Sequence, residues 1–168
     1  MNSRRRYLLL LVVLLGFLIR VWELEAQSIW WDEAVSLHLA TADGRELLVD
    51  RASHVHPPLY FLLLKGWVAL AGASGFSARF LSAAFNVVLI PAVYVFARRR
   101  FGHRIGVAAA MTVAISPLYV IYSQEARVYA LLPLAYLTLL DVGERLMDPA
   151  SPHQRMNWAL LTLVEIAG

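Results

Sequence analysis

Three short stretches of this sequence hold residues able to do chemistry. The first is Trp30-Trp31-Asp32-Glu33. Adjacent carboxylates suit a general base beside a metal or substrate ligand, because a carboxylate takes a proton from an attacking hydroxyl when geometry and pKa allow. Tryptophan faces commonly line sites for sugar rings and apolar carriers, which makes Trp31 a substrate-binding candidate. The same residues also read as a capped interfacial helix running through Ala34–Ala40. In that reading Ser28 and the acidic pair stand at its positive end. The second stretch is His54-Val55-His56-Pro57-Pro58. Pro57 biases His56 toward an extended shape, and residues two apart on extended chain face the same way. His54 and His56 could then form half of a divalent-metal site, with Glu33 a further candidate ligand. The alternative is a polar loop entering a helix started by proline. The third is Tyr122-Ser123-Gln124-Glu125-Ala126-Arg127-Val128-Tyr129. On a helix, Ser123 and Gln124 would share a face with Arg127, and arginine is the residue best matched to a phosphate. A plain ion pair of Glu125 with Arg127 or another loop residue is the competing reading.

The elements that position these residues follow from composition. Hydrophobic residues make up 60% of the chain and charged residues 16%, with a mean hydropathy of +0.60. A soluble domain of this length carries about a quarter charged residues, so the bilayer is the expected solvent. The net charge of +3 comes from clusters such as Arg4-Arg5-Arg6 and Arg98-Arg99-Arg100 beside apolar runs. That is the pattern of an orientation signal rather than of nucleic-acid binding. With no cysteine, disulfides, thiolate metal sites and cysteine nucleophiles are excluded. No Walker motif, Gly-rich nucleotide loop or nucleophile elbow is present.

Helices are the expected spanning element, since each backbone group in lipid must be satisfied within its own segment. The basic residues choose between two threadings. If Pro57–Ala73 crosses, Arg98–Arg104 falls on the side opposite Arg4–Arg6. If it does not, Arg4–Arg6, Arg98–Arg104, Arg145 and Arg155 all fall inside, as the positive-inside tendency requires. The outer segment Glu23–Arg79 then holds four basic and seven acidic residues. The expected order is spans at about 7–22, 80–97, 105–122, 128–144 and from 157 onward, with an extracytoplasmic loop at about 23–79. The N-terminus lies in the cytoplasm, and the first span is uncleaved because no clear cleavage site follows it. Arg20 is expected to snorkel at the outer end of that span. Pro57–Ala73 becomes an interfacial helix, with Tyr60, Lys65 and Trp67 at headgroup level. The whole is an all-α multi-pass bundle forming a single domain, 1–168, cut short within its last span. Arg79 lies at the outer end of a span, where the positive-inside tendency gives it nothing, so it is expected to have another partner. Asn86, Asp141, Glu144 and Glu165 read as ordinary polar contacts between helices or at the inner surface.

In order, W-W-D-E-A, H-P-P-L-Y-F-L-L-L, F-S-A-R-F-L-S-A, A-R-R-R-F-G-H-R-I-G and S-P-L-Y-V-I-Y-S-Q-E-A-R-V-Y-A-L follow a basic N-terminus and a span. This series resembles the GT-C superfamily of membrane glycosyltransferases, and within it the protein O-mannosyltransferase and aminoarabinose-transferase branch. The resemblance implies catalysis by Asp32, as general base, with Glu33 assisting. It implies substrate contacts from His56, Arg79, Gln124, Glu125 and Arg127. It also implies a donor sugar on a polyprenyl phosphate, with inversion at the sugar, and a lipid, glycan or protein acceptor outside the cytoplasmic membrane. No metal or other cofactor is carried over from it. Two other classes remain beside this one, a transporter or flippase and a non-catalytic membrane bundle. Transport sites usually lie near mid-membrane, whereas the special charges here crowd one interface. Convergence of Asp32, His56, Arg79 and Arg127 is the observation that separates the readings.

Overall fold

A computed structural model describes residues 3–45, 47, 58–147, 158, 159 and 162. His54, His56 and Pro57, and nearly all of the segment from residue 157, lie outside the described residues. Among the described residues there are helices and turns and no strand. Among the described residues seven bounded α-helices carry the architecture: α1 Ser3–Val21, α2 Trp31–Thr41, α3 Leu59–Ala71, α4 Gly75–Phe101, α5 His103–Ile115, α6 Pro117–Ser123 and α7 Leu132–Met147. A 3-10 turn at Val128–Ala130 precedes α7.

The helix boundaries follow local chemistry. Ser74 caps α4 by accepting from the Ser77 amide at 3.0 Å, the ordinary N-cap arrangement. Gly102, with φ +84°, ends α4 in a conformation that L side chains avoid. This turns the chain tightly into α5. Pro117 breaks the expected 105–122 span into α5 and α6, which meet at 53°. By length and composition α4 is able to cross a bilayer, and the bent pair α5–α6 passes the same test together. Helix α3 is only 13 residues long, about 20 Å at 1.5 Å per residue, too short for a hydrocarbon core of about 30 Å.

Two apolar clusters organise the packing. Val12 of α1 meets Leu89, Ile90 and Tyr94 of α4 and Ala110, Val113 and Ala114 of α5. At the other end Leu39 and Ala40 of α2 pack with Tyr60, Phe61 and Leu64 of α3 and with Ala126 and Val128. Small residues permit the closest approaches. A Cβ on Gly16 would stand 2.3 Å from Ile90 Cδ1, and one on Gly106 would stand 3.0 Å from the Tyr94 carbonyl oxygen.

Two expectations change on contact with the fold. Arg20 does not snorkel. It is fully buried and donates to the Val113 and Ala114 carbonyls at 2.9 Å each and to Gly16 at 3.0 Å. Val113 is four residues before Pro117, whose missing N–H leaves that carbonyl without its helical partner, so Arg20 supplies a donor at the break. Tyr60 is buried within the protein, with its hydroxyl 2.9 Å from Ser82 Oγ on α4. Finally, residues 124–127 are not helical. Arg127 is extended (φ −134°, ψ 153°), so the shared helical face with Gln124 and Ser123 does not exist.

Candidate functional site

The loop before α2, the start of α2, the start of α4 and residues 124–127 meet at one end of the bundle. Helix α2 begins at Trp31, with Trp30 as its N-cap and no side-chain cap. Ser28 therefore does not cap it. Asp32 and Glu33, consecutive in the first turn, point in different directions, because successive helical residues are about 100° apart.

Glu33 points inward and is 2% exposed. Arg79 Nε donates to its Oε1 at 2.8 Å and Arg79 Nη2 to its Oε2 at 2.6 Å. The Ala126 amide donates to Oε1 at 2.9 Å. The remaining Arg79 N–H groups go to the carbonyls of Leu24 (3.0 Å), Gln27 (2.8 Å) and Ser28 (3.2 Å). All five guanidinium donors are thus taken, and one buried ion pair ties α2, α4, the first loop and residue 126 together. Burial alone would push the Glu33 carboxyl up. The Arg79 hydrogen bond, the Ala126 amide and the Arg79 charge outweigh it and hold the group below the ordinary carboxylate range.

Asp32 points outward, its side chain 40% exposed, and its Oδ2 stands 2.5 Å from Arg127 Nη1. The Arg127 guanidinium also lies 5.8 Å from the Trp30 ring and 5.2 Å from the Tyr129 ring, within cation–π range. Beside this pair opens a cleft of about 520 Å³ lined by Gln27, Ser28, Trp30, Glu33, Arg79, Gln124 and Glu125. A second cleft of about 320 Å³ shares Gln27, Arg79 and Gln124 with it and continues along Ile19, Trp22 and Val120. Gln124 donates to the carbonyls of Arg20 (3.3 Å) and Trp22 (3.0 Å), so it ties down the end of α1 between the two clefts. The Glu125 carboxyl has no hydrogen-bond or ion-pair partner among the described residues, while its backbone carbonyl accepts from the Arg127 amide at 2.9 Å. Its carboxyl is pushed up, first by burial and then by the Glu33 charge, despite Arg127.

The sequence candidates thus fall into groups. Asp32, Glu33, Arg79 and Arg127 converge; Glu33, Arg79, Gln124 and Glu125 line the cleft, and Asp32 and Arg127 are not part of its lining. Trp31 is 79% exposed and faces away, while Trp30 lines the cleft. Arg127 pairs with Asp32, not with Glu125. No three His, Asp or Glu side chains among the described residues stand together as a metal site, and both Glu33 oxygens are already engaged. At the opposite end Asp141 bonds Arg145 at 2.5 Å and Arg99 at 3.3 Å, and Glu144 pairs with Arg100, the ordinary polar contacts expected of these residues. Sequence reading missed Arg20 and Trp30. The signal for Arg20 was the proline at 117, which orphans a carbonyl that some donor must meet.

Arranged this way, the site offers an accessible carboxylate, an arginine held beside it by aromatic rings, and two neighbouring clefts of mixed polar and apolar lining. A family model described as dolichyl-phosphate-mannose-protein mannosyltransferase matches residues 55–167, about two thirds of the chain. No curated protein and no solved structure matches.

Proposed function

This chain belongs to the dolichyl-phosphate-mannose-protein mannosyltransferase family, and on that premise we propose that it carries the acid–arginine site of a membrane-embedded glycosyltransferase. The reaction is transfer of a sugar from a polyprenyl phosphate to an acceptor hydroxyl at the extracytoplasmic face of a multi-pass bundle. The observation that carries the reading is the accessible Asp32 carboxylate held 2.5 Å from Arg127 beside a polar cleft.

In this reaction Asp32 takes the proton of the acceptor hydroxyl. The hydroxyl oxygen forms the bond to the anomeric carbon as that carbon's bond to the phosphate oxygen breaks, and the electron pair leaves with the phosphate. In-line attack inverts the sugar. Arg127 meets the charge that develops on the leaving phosphate, a preorganised electrostatic contribution. In the neighbouring cleft of mixed lining, Ile19, Trp22 and Val120 are the side chains offered to the first prenyl units, leaving the sugar near Glu125 and Gln124. Glu33 and Arg79 hold the frame, because their donors and acceptors are already saturated by each other and by backbone. Removing a general base typically costs about 10²–10⁴-fold in rate. The test is transfer of labelled mannose from dolichyl phosphate in membranes carrying the full-length chain. Asp32→Asn is expected to lose activity by that factor, and unchanged transfer would remove Asp32 from catalysis.

A further inference from the structure

Consecutive residues on α2 each hold an arginine, and the two pairs differ in everything that sets how readily they exchange. Glu33 and Arg79 are both almost fully buried, and every guanidinium N–H is spent within the protein. A ligand that took this arginine would have to displace hydrogen bonds the protein already makes to all five of its N–H groups.

The outer pair is different. Asp32 touches Arg127 through one oxygen at 2.5 Å. Beside that ion pair, the hydrogen bond of the Arg127 guanidinium among the described residues is a long one to the Tyr129 hydroxyl, at 3.4 Å. The rings of Trp30 and Tyr129 position the cation through its charge, without using its N–H groups. The arginine therefore keeps its place when its carboxylate partner leaves, and most of its N–H groups, on a side chain 13% exposed, have no hydrogen-bond partner among the described residues. A phosphate presents several oxygens to those groups, which is the arrangement guanidinium binds best, and a single exposed carboxylate contact is a weak competitor.

We propose that the Asp32–Arg127 pair is an exchangeable latch, opened by the phosphate of the lipid donor, so that the donor binds first and frees Asp32 for the acceptor. The proposal rests on the transferase reading above and adds an order to it. In the absence of donor the base is engaged by the arginine, and the acceptor has no free carboxylate to meet. Once the phosphate takes Arg127, the Asp32 oxygens turn to the incoming hydroxyl. Asp32 thereby acts against donor binding and for turnover, an opposition that a purely structural ion pair does not produce.

The test measures binding of farnesyl phosphate to the full-length chain in nanodiscs. Asp32→Asn removes the competing carboxylate and is expected to bind farnesyl phosphate roughly three- to five-fold tighter, the factor an exposed ion pair represents. Asp32→Ala is expected to do the same, and Asp32→Glu to bind as the parent does. Arg127→Gln is expected to bind at least about ten-fold more weakly, as loss of a charge-assisted contact implies. Inorganic phosphate should compete at the arginine, whereas farnesol should neither compete with phosphate nor respond to these substitutions. If the parent binds farnesyl phosphate but Asp32→Asn and Asp32→Ala bind it equally or more weakly, the latch is overturned while the transferase reading stands. If the parent does not bind it at all, or binds farnesol as tightly, both are overturned.

Discussion

Replacing Glu33 by glutamine keeps the side chain's size and removes its charge, which isolates what the buried pair does. Arg79 would keep its three carbonyl partners at 2.8–3.2 Å but lose the carboxylate that neutralises it. Arg79 is 4% exposed, so solvent cannot make up the difference. Breaking a buried pair by removing one partner typically costs about 3–5 kcal/mol. By contrast Asp32→Asn breaks a pair whose carboxylate is 40% exposed, worth roughly 1 kcal/mol or less. Thermal unfolding of the full-length chain in detergent should therefore separate two neighbouring and chemically equivalent substitutions. The apparent Tm of Glu33→Gln should fall by on the order of 10 °C, and that of Asp32→Asn by no more than about 2–4 °C. Both should lose transfer activity, the first by distorting the site and the second by removing the base. Equal Tm values for the two variants would refute the division of the acidic pair into a frame residue and a reacting one.

Acidification gives a related outcome. Glu33 titrates below its unfolded value, so its stabilisation is full above the ordinary carboxylate pKa and is lost as pH falls through the depressed folded value. Glu33→Gln should show a flatter acid limb in a Tm-against-pH scan. Glu125 titrates above its unfolded value, so its charged form destabilises the fold at neutral pH and the cost disappears in acid. Glu125→Gln should then be neutral or slightly more stable at pH 7, and indistinguishable from the parent once both are measured below the carboxylate range. Arg20→Leu leaves the Val113 and Ala114 carbonyls unmet beside Pro117, and each buried orphan costs about 1–3 kcal/mol. A lowered denaturation midpoint should accompany it, with Arg20→Lys restoring part of the loss. Gly106→Ala pushes a methyl to 3.0 Å from the Tyr94 carbonyl oxygen and 2.9 Å from Arg98 Cβ. It should destabilise by about 1–3 kcal/mol, read from the same melts.

Much of the fold was legible because hydropathy and arginine placement are strong signals over long segments. Helix α4 was expected at 80–97 and occupies Gly75–Phe101. Helix α3 was expected not to cross, and its 13 residues are too few to do so. The misreadings are of groups whose fate depends on tertiary partners. Arg20 reads as an interfacial cation from its neighbours alone, and only the packing of α1 against the broken α5–α6 pair draws it inside. The geometry of Gln124–Arg127 was misread because a helical period was extended through a stretch where Glu33 takes the Ala126 amide. In the site, the residue types at 32, 33, 79 and 127 pointed to acid–arginine chemistry. Which acid meets which arginine was not legible, since adjacent positions on a helix differ only in the face they present.

The account depends on the 31–33 turn and the 98–104 arginine cluster lying on opposite sides of the membrane. The chain has no cysteine, so single cysteines can be introduced without background. Trp31 is 79% exposed and Phe101 65%, which makes both positions reachable by a reagent on their own side. Labelling intact cells with a membrane-impermeant maleimide should modify Trp31→Cys and leave Phe101→Cys unmodified until the cells are opened. Modification at 101 but not at 31 in intact cells would place the acid–arginine site in the cytoplasm and contradict the account.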